Sequence, residues 1–258
     1  MTRTRAGLRR LQAAIVRLMV DPDSLVQLVE GRLGGLPADD ITLLRAVDPR
    51  AWTTDTFRRA RLLQAIVDEL PVSVAVLGIP QADSYLSSEA FAQVVRERGS
   101  MVLGFGTWAR RGAGDVATLE RAIALARRRL TPAGPGLVCA PGVVAVDVAR
   151  GTLTFVHAGR AALEAGEEGV THAVIQGARL GPAPRGGGEE HLLVIADGSG
   201  ATTVELASKA LVGLLRACAA PVSRRDAERA AKRLGAGAEA GEVVAGLVED
   251  GLLVERPG

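Results

Sequence analysis

Cysteine is nearly missing from this chain of 258 residues, and the two present, Cys139 and Cys218, cannot build a disulfide framework. Lysine is as scarce: Lys209 and Lys232 are the whole complement, and arginine carries the remaining positive charge. Neither sign of charge dominates. The 31 Lys+Arg and 29 Asp+Glu residues leave a net +2, so no overall field draws in nucleic acid, and no charge block is long enough to be a tail. Long apolar runs are absent too. The best, Val72 to Pro80, is about half of the ~18 residues that a membrane helix needs. The stretch from Ala13 to Val20 is interrupted by Arg17 and followed by no cleavage-like site, so no signal peptide is read. These absences lead to the expectation of a soluble, cytoplasmic protein with no membrane partner.

What is present is a globular balance, 48% hydrophobic and 23% charged, which excludes wholesale disorder. At roughly 150 residues per domain the length implies just under two domains. The front half reads as helices. Leu8, Leu11, Ile15, Leu18 and Met19 recur at helical spacing until Asp21-Pro22, and Leu25, Leu28, Val29 and Leu33 carry a second helix to Gly34-Gly35. A third runs from about Pro37 to Ala46. Thr53-Thr54-Asp55 offers cap oxygens to a longer one with Phe57, Ala60, Leu63, Val67 and Leu70 on its face, closed by Pro71. Short helices are expected at Val72–Leu77, Ala82–Leu86 and Ser88–Arg98, the last stopped by Gly99, and then at Ser100–Arg110 and Asp115–Leu130.

Beyond Thr131-Pro132-Ala133-Gly134-Pro135-Gly136, a linker by composition, the period falls to two. Val143–Val148, a turn at Ala149-Arg150-Gly151 and Thr152–His157 predict a hairpin, and Thr171–Ala178 predicts another strand. His191–Ala196, the tight turn Asp197-Gly198-Ser199-Gly200 and Ala201–Glu205 predict a second hairpin. Three helices follow: one with Leu206, Ala210, Leu211, Leu214, Leu215 and Cys218 inward, one opened by the capping box Ser223-Arg224-Arg225-Asp226, and one from about Ala238 to Asp250. The fold class expected is therefore α+β. An all-helical domain over 1–130 is followed by a β-strand segment over 137–180 and a winged-helix-like domain over 189–256.

Such a unit binds either DNA or a peptide. A DNA-reading third helix needs bases toward the phosphates, whereas this one carries Glu239, Glu242, Glu249 and Asp250 and no Lys or Arg. Nucleic acid is disfavoured on electrostatic sign, and a winged-helix transcriptional regulator is the alternative reading. The peptide reading needs a free strand edge and a groove beside the third helix. Thr202, Thr203 and Val204 supply the edge, Val244 and Leu247 the groove, and proline at Thr203 is expected to delete an edge donor.

The order strand–turn–strand, Glu205-Leu206, three helices and a closing Glu249-Asp250-Gly251-Leu252-Leu253 resembles the precursor-peptide recognition element of ribosomal peptide natural-product pathways. The front-half runs Phe57-Arg58-Arg59-Ala60-Arg61-Leu62, Asp68-Glu69-Leu70-Pro71, Ser87-Ser88-Glu89-Ala90-Phe91, Arg98-Gly99-Ser100-Met101 and Phe105-Gly106-Thr107-Trp108 are similar to partner subunits of multinuclear non-haem iron oxidative enzymes. Methanobactin-type partner proteins belong to that group. The resemblance implies a non-catalytic accessory subunit that binds the leader of a precursor peptide and docks on a separate barrel enzyme holding two or three irons. The iron then lies in the partner enzyme, with no cofactor, metal ligand or catalytic residue in this chain. Arg58, Arg61, Phe105 and Trp108 are the expected docking residues.

Independent chemistry finds little to stand on. His157, His172 and His191 fall at no metal-ligand spacing and read as isolated strand histidines. Cys139 and Cys218 sit in apolar surroundings and read as inert thiols. Gly104-Phe105-Gly106 lacks a third glycine and Asp197-Gly198-Ser199-Gly200 lacks a phosphate-loop lysine, so both read as turns or packing sites. The N-terminal arginines Arg3, Arg5, Arg9 and Arg10 read as a solvated face.

Overall fold

Thr4 opens the first helix: its hydroxyl accepts the Gly7 N–H at 3.2 Å, satisfying a donor that has no partner within the helix. Helix α1 (Arg5–Val20) ends at Asp21, and Pro22 starts α2 (Pro22–Val29), because a proline at the first helical position gives up an N–H that the helix does not use. Next come α3 (Ala38–Arg45), α4 (Phe57–Glu69), α5 (Pro71–Leu77), α6 (Ile79–Ser84) and α7 (Glu89–Glu97). The expected cap at Thr53-Thr54-Asp55 lies outside the described residues, which are 4–48, 52, 57–166 and 168–257 of a computed structural model. Ser88 caps α7 through the Phe91 N–H. Arg98, one residue before the expected stop, takes the left-handed conformation that ends it.

The two helices expected over 100–130 are both present, running end to end within α8 (Met101–Arg127) and meeting in a kink at Gly114, whose φ of 57° and ψ of −134° are non-helical. There the chain leaves its first unit. Met1–Ala113 with Gly159–Gly181 form one compact unit, and Gly114–Ala158 with Pro182–Gly258 form the other. The boundary therefore falls well before residue 130, and the segment 137–180 is shared out rather than a domain of its own.

The predicted hairpin over 143–157 is half right. Val143–Ala149 is strand β2, after β1 (Gly136–Cys139), but Thr152 begins a helix, α9 (Thr152–Glu164). Its buried residues Val156, Gly159 and Leu163 follow helical spacing. The start is built for a helix: Gly151 has φ +89°, and the Glu190 carboxylate accepts the Gly151 N–H at 2.7 Å, placing an anion where unpaired helix donors converge. The strand expected over 171–178 is also helical, α10 (Gly169–Ile175).

The real partner of β2 comes much later. Strands β2, β3 (Glu189–Ala196) and β4 (Thr202–Leu206) form an antiparallel sheet in that order, with Val144 opposite Val194 and Val194 opposite Val204. Strand β1 pairs with β5 (Leu253–Arg256). Helix α11 (Lys209–Ala217) packs on β2 and β3, while α12 (Arg224–Ala231) and α13 (Ala240–Glu249) pack on each other and against β1 and β5. Ser208 and Ser223 cap the first two, and the Ser223 hydroxyl also donates to the Asp226 carboxylate at 2.6 Å. Leu193, Leu214, Leu215, Val244 and Leu253 share one core with Cys218. Leu206 is not part of it: expected on a helix, it is the last residue of β4 and 71% exposed. The protein is α+β, mostly helical with small antiparallel sheets. Among the described residues no helix is long and apolar enough to cross a membrane.

Candidate functional site

Strand β4 is the outer strand of its sheet, and the ladder decides which of its backbone groups are free. Asp197 N donates to Ala201 O at 3.0 Å and Ala207 N donates to His191 O at 2.8 Å. Hydrogen-bonded and non-bonded pairs alternate in an antiparallel ladder, so Thr203 and Glu205 direct their N–H and C=O groups at β3. Thr202, Val204 and Leu206 direct theirs outward, where among the described residues no strand pairs with them. The edge is thus a short row of unmet donors and acceptors, the template that an added strand completes. Contrary to expectation, the Thr203 N–H already serves the ladder, and Val204 holds the outward donor.

Side chains alternate in the same way. Thr202 and Val204 share the face of Leu192 and Val194, and the Thr202 hydroxyl accepts from Arg127 Nε at 3.0 Å. Thr203 and Glu205 lie on the opposite face with Leu193 and Ile195 and are exposed. The turn at the end of the strand is well held. Asp197 Oδ1 accepts from the Ser199 hydroxyl (2.6 Å), the Ser199 N–H (2.8 Å) and the Ala201 N–H (3.0 Å). The Ser199 hydroxyl, followed by its N–H, holds the Asp197 carboxyl below its ordinary pKa.

The second part of the site is an apolar cleft. Ser208, two residues beyond β4, and Leu211, Leu214, Leu234, Val243 and Leu247 line a cavity of about 320 Å³ between α11 and α13. Leu247 is 9% exposed and reaches this cleft as expected, but Val244 is fully buried in the core and offers a ligand nothing. Val243, one residue earlier, is 39% exposed and takes that role. The packing of α13 turns Val243 to the cleft and Val244 into the core beside Leu214 and Leu215. Glu239, Glu242, Glu249 and Asp250 are all exposed. On α12, Arg224 pairs with Glu255 at 2.8 Å and Arg229 with Asp226 at 2.9 Å, so two bases that a nucleic-acid backbone would need are already matched.

In the first unit, Arg58 and Arg61 are exposed on α4. Phe105 is not available for docking. It is fully buried, and with Tyr85, Phe91 and Trp108 it forms a cluster of ring centroids 5.5 to 5.8 Å apart. Trp108 is half-buried in the same cluster. Arg59, between the two named arginines and expected with them on a solvated face, is instead half-buried. Its Nε and Nη2 each lie 2.7 Å from an Asp83 oxygen, and its Nη1 donates to Val20 O at 2.6 Å. Ser87, which also accepts from Arg59, bonds to the buried Asp21 at 3.0 Å. The network joins α1, α4 and α6, and only its chain-distant partners distinguish Arg59 from its neighbours.

Groups suited to independent chemistry are dispersed. His157 and His172 lie on helices, not strands. His191, on β3 as expected, places Nδ1 2.7 Å from Asp147 Oδ1, and Arg216 pairs with the other oxygen of that carboxylate. Cys139 donates to Leu215 O at 3.1 Å, and burial, followed by the neighbouring Cys218, pushes its thiol up to about 12. Among the described residues no three His, Cys, Asp or Glu side chains gather as metal ligands. No known family model matches the chain, nor does any curated protein or solved structure.

Proposed function

We propose that this protein is a non-catalytic partner subunit that captures an extended peptide, the leader of a ribosomally made precursor, and presents it to a multinuclear non-haem iron enzyme for oxidation of a side chain. The second unit, in this reading, is a winged-helix-like recognition element. The observation that carries the peptide half is the outward row of backbone groups on Thr202, Val204 and Leu206, beside which the cleft of Leu211, Val243 and Leu247 can accept apolar side chains. Main-chain bonds give such a complex its affinity and alternate pockets its selectivity. The iron half rests on the front-half resemblance, with Arg58 and Arg61 as exposed docking residues. The regulator reading is weakened by the wholly acidic surface of α13 and by the pairing of Arg224 and Arg229, since counterion release needs free bases. Affinity capture of the tagged protein from its native cells, followed by peptide mass spectrometry and metal analysis, tests the proposal. It predicts a short ribosomal peptide and an iron-loaded protein of barrel size in the eluate. Duplex DNA without either would overturn it.

A further inference from the structure

The first unit holds a pocket that the peptide reading does not use. On α1, Arg10, Ala13, Ala14 and Arg17 follow helical i, i+3, i+4, i+7 spacing and share one face. Two methyl-sized side chains between two arginines leave a trough. Helix α7 brings Arg96 to it, and the loop Leu33-Gly34-Gly35-Leu36 closes the remaining side around a cavity of about 200 Å³. Three guanidinium groups line that cavity and no carboxylate does. Gly35, at φ +83°, takes a backbone conformation that side chains rarely adopt, and the space beside both glycines is open. Their N–H groups have no hydrogen-bond partner among the described residues.

The charges around the cavity narrow the ligand. Arg17 meets Asp21 only through Nε, at 3.7 Å, and Arg96 engages Glu89 and Gln93 through Nη2 and Nε. Arg10 has no partner among the described residues. Three guanidiniums less those two carboxylates leave one positive charge unmatched, the demand of a monoanion. The adjoining cleft is lined by Asp23, Glu30 and Glu89 together with Arg17, Arg32 and Arg96, so it adds no net positive charge that a dianion such as phosphate would need. The inner wall is apolar, made by Leu33, Leu36 and the alanine methyls.

We propose that this pocket binds a short aliphatic carboxylate, received by the planar donor forks of Arg10 and Arg17 with its hydrocarbon part against the leucines. The same chemistry belongs to a free branched-chain acid and to the C-terminus of a peptide ending in an aliphatic residue. Calorimetric titration of the full chain with isovalerate, with the tripeptide Gly-Ala-Val as free acid and as amide, and with inorganic phosphate tests it. Binding of isovalerate, or of the free-acid tripeptide but not its amide, supports the site and names the source; phosphate is expected at least tenfold weaker. Arg10→Gln should weaken binding tenfold or more and Ala14→Leu, which fills the trough, should abolish it, both with an unchanged melting temperature. Absence of binding by either carboxylate, phosphate binding as tightly, or unchanged affinity in both variants would overturn the assignment.

Discussion

At the scale of single residues, neighbours in sequence do opposite jobs. Val204 faces its donor outward and Thr203 faces its donor into the ladder, so proline at the two positions separates binding from stability. Val204→Pro is expected to cost at least tenfold in peptide affinity while leaving the sheet intact by circular dichroism. Thr203→Pro should instead lower the melting temperature. Equal effects of both on affinity, with folding unchanged, would refute the assigned parity. A similar division holds in the first unit. Phe105→Ala should destabilise by about 3–5 kcal/mol, the usual cost of emptying a buried aromatic site, whereas Arg58→Ala and Arg61→Ala should stay within about 0.5 kcal/mol as surface changes do; chemical denaturation measures all three. None of this was legible in the residues' identities. Thr203, Val244 and Phe105 were plausible ligand contacts by type, and what disqualifies them is a hydrogen-bond phase, a helix orientation and a ring cluster, each fixed by distant parts of the chain.

At the scale of elements, local chemistry was legible where it is self-contained. The serine cap at Ser223, the proline at the start of α2 and the turn at Asp197-Gly198-Ser199-Gly200 need only adjacent residues, and all three are present in the fold. Thr152–His157 failed because its alternation suits a strand while its decisive partner, Glu190, lies 39 residues away from Gly151. The Asp197 turn makes a prediction of its own. Its carboxyl is held below the ordinary aspartate value, first by the Ser199 hydroxyl, so the carboxylate is favoured in the folded state. The resulting stabilisation is fully present above the ordinary aspartate pKa and is lost as pH falls through the lowered folded value. The amide resonances of Ser199 and Ala201 should therefore titrate with a midpoint below that of an unstructured aspartate. A midpoint at or above it would show that the turn does not hold the charge.

At the scale of the whole molecule, the chain is two units, each assembled from two separate stretches of sequence. Composition and length anticipated two, but not the exchange: a sequence read from end to end places Gly159–Gly181 with its neighbours, while the fold returns it to the first unit, where Leu180 N bonds to Ala75 O at 3.1 Å and the Thr171 hydroxyl to Asp68 at 2.6 Å. The α+β class itself was readable, because Val143–Val148 and His191–Ala196 do form strands, although Thr152–His157 and Thr171–Ala178, with the same alternation, are helical. The division of labour proposed for the molecule, peptide capture at a sheet edge in support of an iron enzyme held elsewhere, depends most on β4 receiving a strand. Residue-resolved amide exchange of the protein with and without the peptide that co-purifies from its native cells tests that directly. Loading should protect Val204 and Leu206 while Thr203 and Glu205, already bonded to β3, exchange as slowly as before. Peptide binding with no gain of protection at Val204 and Leu206 would contradict it.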